Sequence, residues 1–176
     1  EAAIKSAAYI EAEEFYRSDF QGCGGDTCFY PDKQEEKPKA GNVRFVDEGL
    51  KAEDVRRLCE KYGITENVFF IGAFGILLAK YNFRDESVFT TIYHGRNDSR
   101  LAETVGMLVK TLPVRCLMDS DIENYFQALK EQLMNAMDAD IYPFSEISRE
   151  YGILPRAMLV YQGESFVFDS IGQERA

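Results

Sequence analysis

Apolar positions along this chain switch between two periods, and the switches mark its elements. Val55, Leu58, Cys59 and Tyr62 recur at i, i+3, i+4 and i+7, lining one face of a helix that Gly63 closes. Thr65 caps a second helix over residues 66–81, apolar almost all round and therefore expected deep in the core. Ile122, Phe126, Leu129, Leu133 and Met137 form the buried stripe of a third, with Ser120 and Glu123 placed as a capping box. A short helix over 145–151 stops at Gly152, and residues 5–20 carry a weaker helical pattern around Ile10 and the Phe15-Tyr16 pair. Between the helices, Ser87 to Tyr93 is β-branched and aromatic and reads as a strand. Val105 to Thr111 reads as another, disturbed at its end by Pro113, and Met158 to Tyr161 as a third. Val43 to Val46 and Phe166 to Phe168 are shorter candidates. Strands separated by helices imply an α/β sandwich, a sheet covered by helices.

Residues 21–42 break this alternation. Gly22, Gly24, Gly25, Pro31, Pro38 and Gly41 within a mixed charge run read as a connecting segment. The expected division is therefore an N-terminal helix and connection over 1–42, and a compact unit over 43–176.

Composition narrows the classes. With 176 residues, 45% hydrophobic and 28% charged, the chain is long enough to bury a core and is neither disordered nor membrane-like. Its net charge of −10, with Lys and Arg scattered, argues against nucleic acid as a partner, because phosphate binding needs a clustered positive field. The most apolar stretch, Val68 to Leu78, is too short to span a bilayer. The first residues lack the basic and apolar regions of a signal peptide, so a cytoplasmic location is expected. The absence of an initiator Met, and an end soon after a strand, suggest an excised piece of a larger protein. Cys23, Cys28, Cys59 and Cys116 are expected as free thiols. Cys23 and Cys28 lack the tight Cys-x2-Cys pairing and neighbouring ligands of a zinc site, so no metal is expected.

Chemistry-bearing residues are few. His94, the one histidine, stands at a strand end before Gly95, where a rigid support can present a general base or where a backbone hydrogen bond can simply satisfy the ring. No Gly-x-Ser-x-Gly nucleophile motif and no phosphate loop is present. Asp119, Asp121 and Glu123 crowd a helix N-terminus, where they read as capping groups rather than metal ligands. Arg96 follows Gly95 among apolar residues, and if drawn inward it requires a carboxylate. No complete catalytic apparatus can be assembled from these residues.

Several segments, in order, resemble the C-terminal half of a nonribosomal peptide synthetase condensation domain. Ile64-Thr-Glu-Asn-Val68 with Leu78-Ala-Lys-Tyr81 is similar to that family's core helix. Val88-Phe-Thr-Thr-Ile-Tyr-His-Gly-Arg96 resembles its strand ending in Gly-Arg or Asn-Arg. Val105-Gly-Met-Leu-Val-Lys-Thr-Leu-Pro-Val-Arg115 matches the pattern Val-Gly-x-x-Val-Asn-Thr-x-Pro-x-Arg, and Tyr142, Pro143 and Phe144 fit a structural Tyr-Pro-Phe motif. Phe15-Tyr16 sits where a Tyr-Trp pair often precedes the interlobe crossing.

The resemblance implies a chloramphenicol acetyltransferase-like fold, here a single lobe with a mixed sheet covered by helices. It implies a partner lobe, the N-terminal lobe of the same domain, that carries a His-His-x-x-x-Asp-Gly motif this sequence does not contain. The implied reaction joins an upstream aminoacyl or peptidyl thioester to a downstream aminoacyl amine. Both groups ride on phosphopantetheine arms of peptidyl carrier proteins, with an adenylation domain as a further partner and no cofactor bound directly. Arg96 would form the interlobe salt bridge with the motif's Asp. His94, Gly95, Gly106, Lys110 and Thr111 would line the tunnel between lobes. Two residues depart from the pattern: Lys110 stands where Asn is common, and His94 replaces a small residue, as in the related epimerization domains. Two alternatives remain at this point. One is a non-catalytic docking module for carrier or adenylation domains, and the other a self-contained CoA-type acyltransferase using His94. A lone lobe is also expected to leave apolar surface through which a non-physiological dimer could form.

Overall fold

The computed structural model describes residues 6–30, 49–95, 104–106, 108–154 and 156–163. Its organising element is a strand, β1 (Glu86–Tyr93), in which Ser87, Val88, Phe89, Thr90 and Thr91 are buried in succession. Consecutive burial means that both faces of the strand are covered, since successive side chains point to opposite sides. β1 pairs antiparallel with β2 (Lys110–Leu117), from Glu86 opposite Leu117 to Tyr93 opposite Lys110. It pairs parallel with the short β3 (Met158–Leu159), so the mixed sheet has the order β2-β1-β3.

Helices occupy both faces. Phe89, Val114 and Cys116 pack against Ile71 and Leu78 of α3 (Glu66–Tyr81) and Tyr125, Phe126, Leu129 and Leu133 of α4 (Ile122–Asp138). α2 (Ala52–Tyr62) meets α3 at 94° and adds Val55 and Cys59 to the same cluster. On the other face, Val88 packs against Ala12, Tyr16 and Phe20 of α1 (Ala7–Phe20), with Tyr142, Ile147 and Ile153 from around α5 (Phe144–Tyr151). Thr27 then fastens the segment after α1 to the edge of β1 beyond β3. Its N–H and its hydroxyl both donate to the Val88 carbonyl, at 2.7 and 2.9 Å.

Most of the expected elements form for the expected reasons. Thr65 accepts from the Val68 N–H at the start of α3, and Gly63 adopts φ +60° to cap α2. The α3–α4 crossing is close, since a Cβ on Gly72 would lie 2.5 Å from the Phe126 ring, and α3 also lies close on β2, where a Cβ on Gly75 would lie 2.5 Å from the Cys116 sulfur. The Tyr125 hydroxyl uses that proximity to donate to the Gly72 carbonyl at 2.8 Å.

Several expectations change. β3 covers Met158–Leu159 only, not Met158 to Tyr161. The second strand runs over Lys110–Leu117, not Val105–Thr111, and Val105 is fully exposed. Pro113 sits in its middle, opposite Thr90. The Thr90 N–H donates to Ala157 on the β3 side, so the Thr90–Pro113 pair is one that exchanges no ladder bonds, and the proline nitrogen faces away from β1. α4 is capped by Asp121, which accepts from the Glu123 and Asn124 N–H groups, while the Ser120 hydroxyl is turned to Asp119. A carboxylate outcompetes a hydroxyl at the positive end of a helix. α3 is not buried all round, since Ala73 and Leu77 face outward. Leu58 and Ile122 also lie outside the core. The strand candidates at Val43 to Val46 and Phe166 to Phe168 lie outside the described residues.

None of the four cysteines is in a disulfide, and Cys28, Cys59 and Cys116 are buried. Burial pushes the Cys116 thiol up to about 12, which makes it an inert apolar filler. Among the described residues no group of three or more His, Cys, Asp or Glu is placed to hold a metal, and no single helix is long and apolar enough to cross a membrane.

One ion network ties the layers together. The Glu86 carboxylate accepts from Arg84 at 2.7 Å and the Gly24 N–H at 2.8 Å on one oxygen, and from Arg115 at 2.8 and 2.9 Å on the other. Arg115 also donates to the Asp19 carbonyl at 2.6 Å and the Gln21 carbonyl at 3.2 Å, so it joins β2 to the end of α1. Burial alone would raise the Glu86 carboxyl, but the hydrogen bonds from Gly24 and Arg115 and the two guanidinium charges hold it below its ordinary range.

Candidate functional site

β1 delivers the chain to His94 and Gly95. His94 is exposed, its ring 5.0 Å from that of Tyr93. Gly95 is buried with φ +64°, and a Cβ there would lie 2.3 Å from the Leu108 carbonyl oxygen. Backbone therefore crosses directly over Gly95 before entering β2, and only glycine fits both the conformation and the approach. Gly106 is exposed, with no atom within 4 Å of where a Cβ would stand. Arg96 lies outside the described residues.

Lys110 and Thr111 open β2, and across from them runs the turn between α4 and α5. Lys110 Nζ lies 2.9 Å from Asp140 Oδ2 and donates to the Asp140 carbonyl, also at 2.9 Å. Tyr142 anchors the turn. Its ring is buried against Tyr9 and Tyr16, with centroids 5.0 and 5.9 Å away, and its hydroxyl donates to Glu150 at 3.2 Å. Burial, reinforced by the Glu150 carboxylate, raises that phenol above its ordinary value, so it stays a neutral donor. Pro143 is the N-cap of α5, a position outside the helix where its missing N–H breaks no helical hydrogen bond.

These two segments enclose a cleft of about 410 Å³ lined by Lys110, Thr111, Leu112, Asp140, Ile141, Tyr142, Pro143 and Phe144. It falls within the range of small-molecule sites. Five of the residues picked out from the sequence meet in it: Lys110, Thr111, Tyr142, Pro143 and Phe144. His94, Gly95 and Gly106 do not line it. A larger cleft of about 580 Å³, between α3 and the start of α4, contains none of the expected site residues.

The cleft offers an ammonium, a hydroxyl and a carboxylate against apolar walls, a set suited to orienting a substrate. It holds no nucleophile paired with a base. Asp140 was not singled out by sequence reasoning. Nothing local marks it, because its partner Lys110 lies 30 residues away. Arg115 belonged to a quoted motif without a role, and its carboxylate partner, Glu86, lies on the neighbouring strand.

A family model for the condensation domain matches residues 2–163. Bacitracin synthase 2 of Bacillus licheniformis is 27% identical over 120 residues, 67% of this chain but 5% of that protein. Among solved structures, the first condensation domain of the calcium-dependent antibiotic synthetase, in complex with a substrate analogue, aligns with a TM-score of 0.72 at 17% identity. That alignment covers 91% of this chain and 38% of the solved one. A four-domain nonribosomal peptide synthetase bound to AMP and glycine aligns at 0.55 and 23% identity, covering 62% of this chain and 9% of that one. The chain thus spans a small part of the proteins it matches. Its mixed sheet with helices on both faces is the fold of those solved domains, and the match over residues 2–163 shows that the chain belongs to the condensation-domain family.

Proposed function

We propose that this chain forms one wall of the active site of an amide-forming domain in a nonribosomal peptide synthetase. In that reaction a downstream aminoacyl amine attacks an upstream aminoacyl or peptidyl thioester, both held on phosphopantetheine arms of carrier proteins. The observation that carries the reading is the Lys110–Phe144 cleft. Two motif segments far apart in sequence, opened by Lys110-Thr111 and by Tyr142-Pro143-Phe144, come together to line it.

The proton acceptor is supplied by the partner lobe, which bears the His-His-x-x-x-Asp-Gly motif missing here. A general base must come within hydrogen-bond reach of the attacking amine. The exposed His94 lines no part of the cleft, which weighs against a self-contained acyltransferase. Arg96 pairs across the lobe boundary with the motif's Asp, and the domain works beside an adenylation domain in the cytoplasm. The chain by itself is inactive. His94, Gly95 and Gly106 border the tunnel from outside the cleft, with Gly95 holding the crossing over Leu108 in place.

The test offers loaded donor and acceptor carriers to the full protein that carries this chain and, separately, to the chain alone. Amide product from the first and none from the second is expected. No product from the full protein, with both carriers shown to be loaded, would favour a docking module. Product from the chain alone, abolished by His94→Ala, would favour the small acyltransferase.

A further inference from the structure

Lys110 and Asp140 sit side by side in the wall of the cleft, with side chains 40% and 28% exposed. An ammonium has three N–H donors, and Asp140 takes two of them, through Oδ2 and its carbonyl. Among the described residues no protein acceptor takes the third. Asp140 Oδ1 likewise receives no hydrogen bond from a described residue. The wall therefore presents one donor and one acceptor next to each other with no net charge, framed by Ile141, Pro143 and Phe144.

Few ligands suit such a pair. A carboxylate meets the Asp140 charge and an ammonium meets that of Lys110. An aliphatic group takes water from both partners and returns no hydrogen bond. A primary carboxamide matches on both sides: its carbonyl accepts from Lys110 while its NH2 donates to Asp140. We propose that the cleft takes an aminoacyl substrate whose side chain ends in a primary carboxamide, with Lys110 and Asp140 as its specificity-determining residues. This rests on the reading of the cleft as part of the amide-forming site. A cleft of about 410 Å³ accommodates such a side chain together with the backbone atoms that carry it.

The test measures binding without turnover. Glutaminyl, glutamyl, lysyl and leucyl pantetheine amides, in which nitrogen replaces the thioester sulfur, are titrated calorimetrically into the full protein that carries this chain. The glutaminyl compound is expected to bind about tenfold tighter than the other three, because a site built to hydrogen-bond a polar group discriminates against analogues that lack it. The preference should fall to within about twofold in a Lys110→Met, Asp140→Leu double variant, whose fold is checked by its melt. Equal affinities, a preference for another side chain, or no binding of any of the four would overturn the proposal. So would a preference that survives in the folded double variant. If that variant does not fold, the four affinities of the unaltered protein decide alone. Tight glutaminyl binding by a protein that forms no amide would support this inference while contradicting the proposed function.

Discussion

Arg115 spends its donors on one carboxylate and two carbonyls while staying 12% exposed, beside a Glu86 that is 16% exposed. Removing it leaves Glu86 with Arg84 as its one cation beside the Gly24 N–H, and strands the Asp19 and Gln21 carbonyls. Arg115→Ala should therefore cost about 3 kcal/mol, the lower end for breaking a buried pair, read as a shift in urea midpoint. Melts and urea midpoints matching the unaltered protein would mean that water replaces the guanidinium at no cost. The same network sets a pH dependence. Glu86 is held below its ordinary value of 4.5, so its contribution is full above that value and is lost as pH falls through the lower folded value. Asp19 works the other way. Burial raises its carboxyl above 3.8, against the Gln132 hydrogen bond and the Arg115 charge, so its ionised form opposes folding and protonation relieves that as pH falls. Glu86→Gln should therefore be less stable at neutral pH and lose less stability on acidification to about pH 3.5 than the unaltered chain. Parallel acid curves for the two proteins would place the acid-sensitive group elsewhere.

Elements whose signals are local were legible in the sequence. α2 follows its Val55 and Cys59 spacing up to the Gly63 cap, and α3 starts at Thr65 as its side chain dictates. β2 was not legible, because Pro113 looks like a break until the pairing of Thr90 with Ala157 shows that its nitrogen points away from β1. α3 differs from its sequence pattern for a related reason: an apolar surface says that a helix wants covering, without saying which of its faces is covered. Cleft residues Lys110, Thr111 and Tyr142 to Phe144 were visible as motifs, yet the ion pair to Asp140 depends on how the α4–α5 turn docks on β2. The close α3–α4 crossing makes its own prediction. Glycine to alanine in a helix interior normally stabilises by about 0.5–1 kcal/mol. At Gly72 the new methyl would meet the Phe126 ring at 2.5 Å, so Gly72→Ala should instead destabilise, by about 1–3 kcal/mol of overpacking. A raised melting temperature for Gly72→Ala would show that the two helices separate at little cost.

At the scale of the molecule, the mixed sheet sets one motif segment at the start of β2 and the other in the turn above it, so that the fold places the cleft between them. One wall begins just after the Gly95–Leu108 crossing, and the other is anchored by the buried Tyr142 ring. In the function proposed above, such a scaffold orients a substrate and proton transfer falls to the partner lobe. The most direct measurement of that division of labour is single-turnover amide formation by the full protein with Thr111→Trp, which fills the cleft from β2. The account predicts a loss of about a hundredfold or more in rate with an unchanged melt, because a reacting amine displaced by about 1 Å already forfeits that much. Amide formation at the unaltered rate, by a folded variant with its cleft filled, would contradict it.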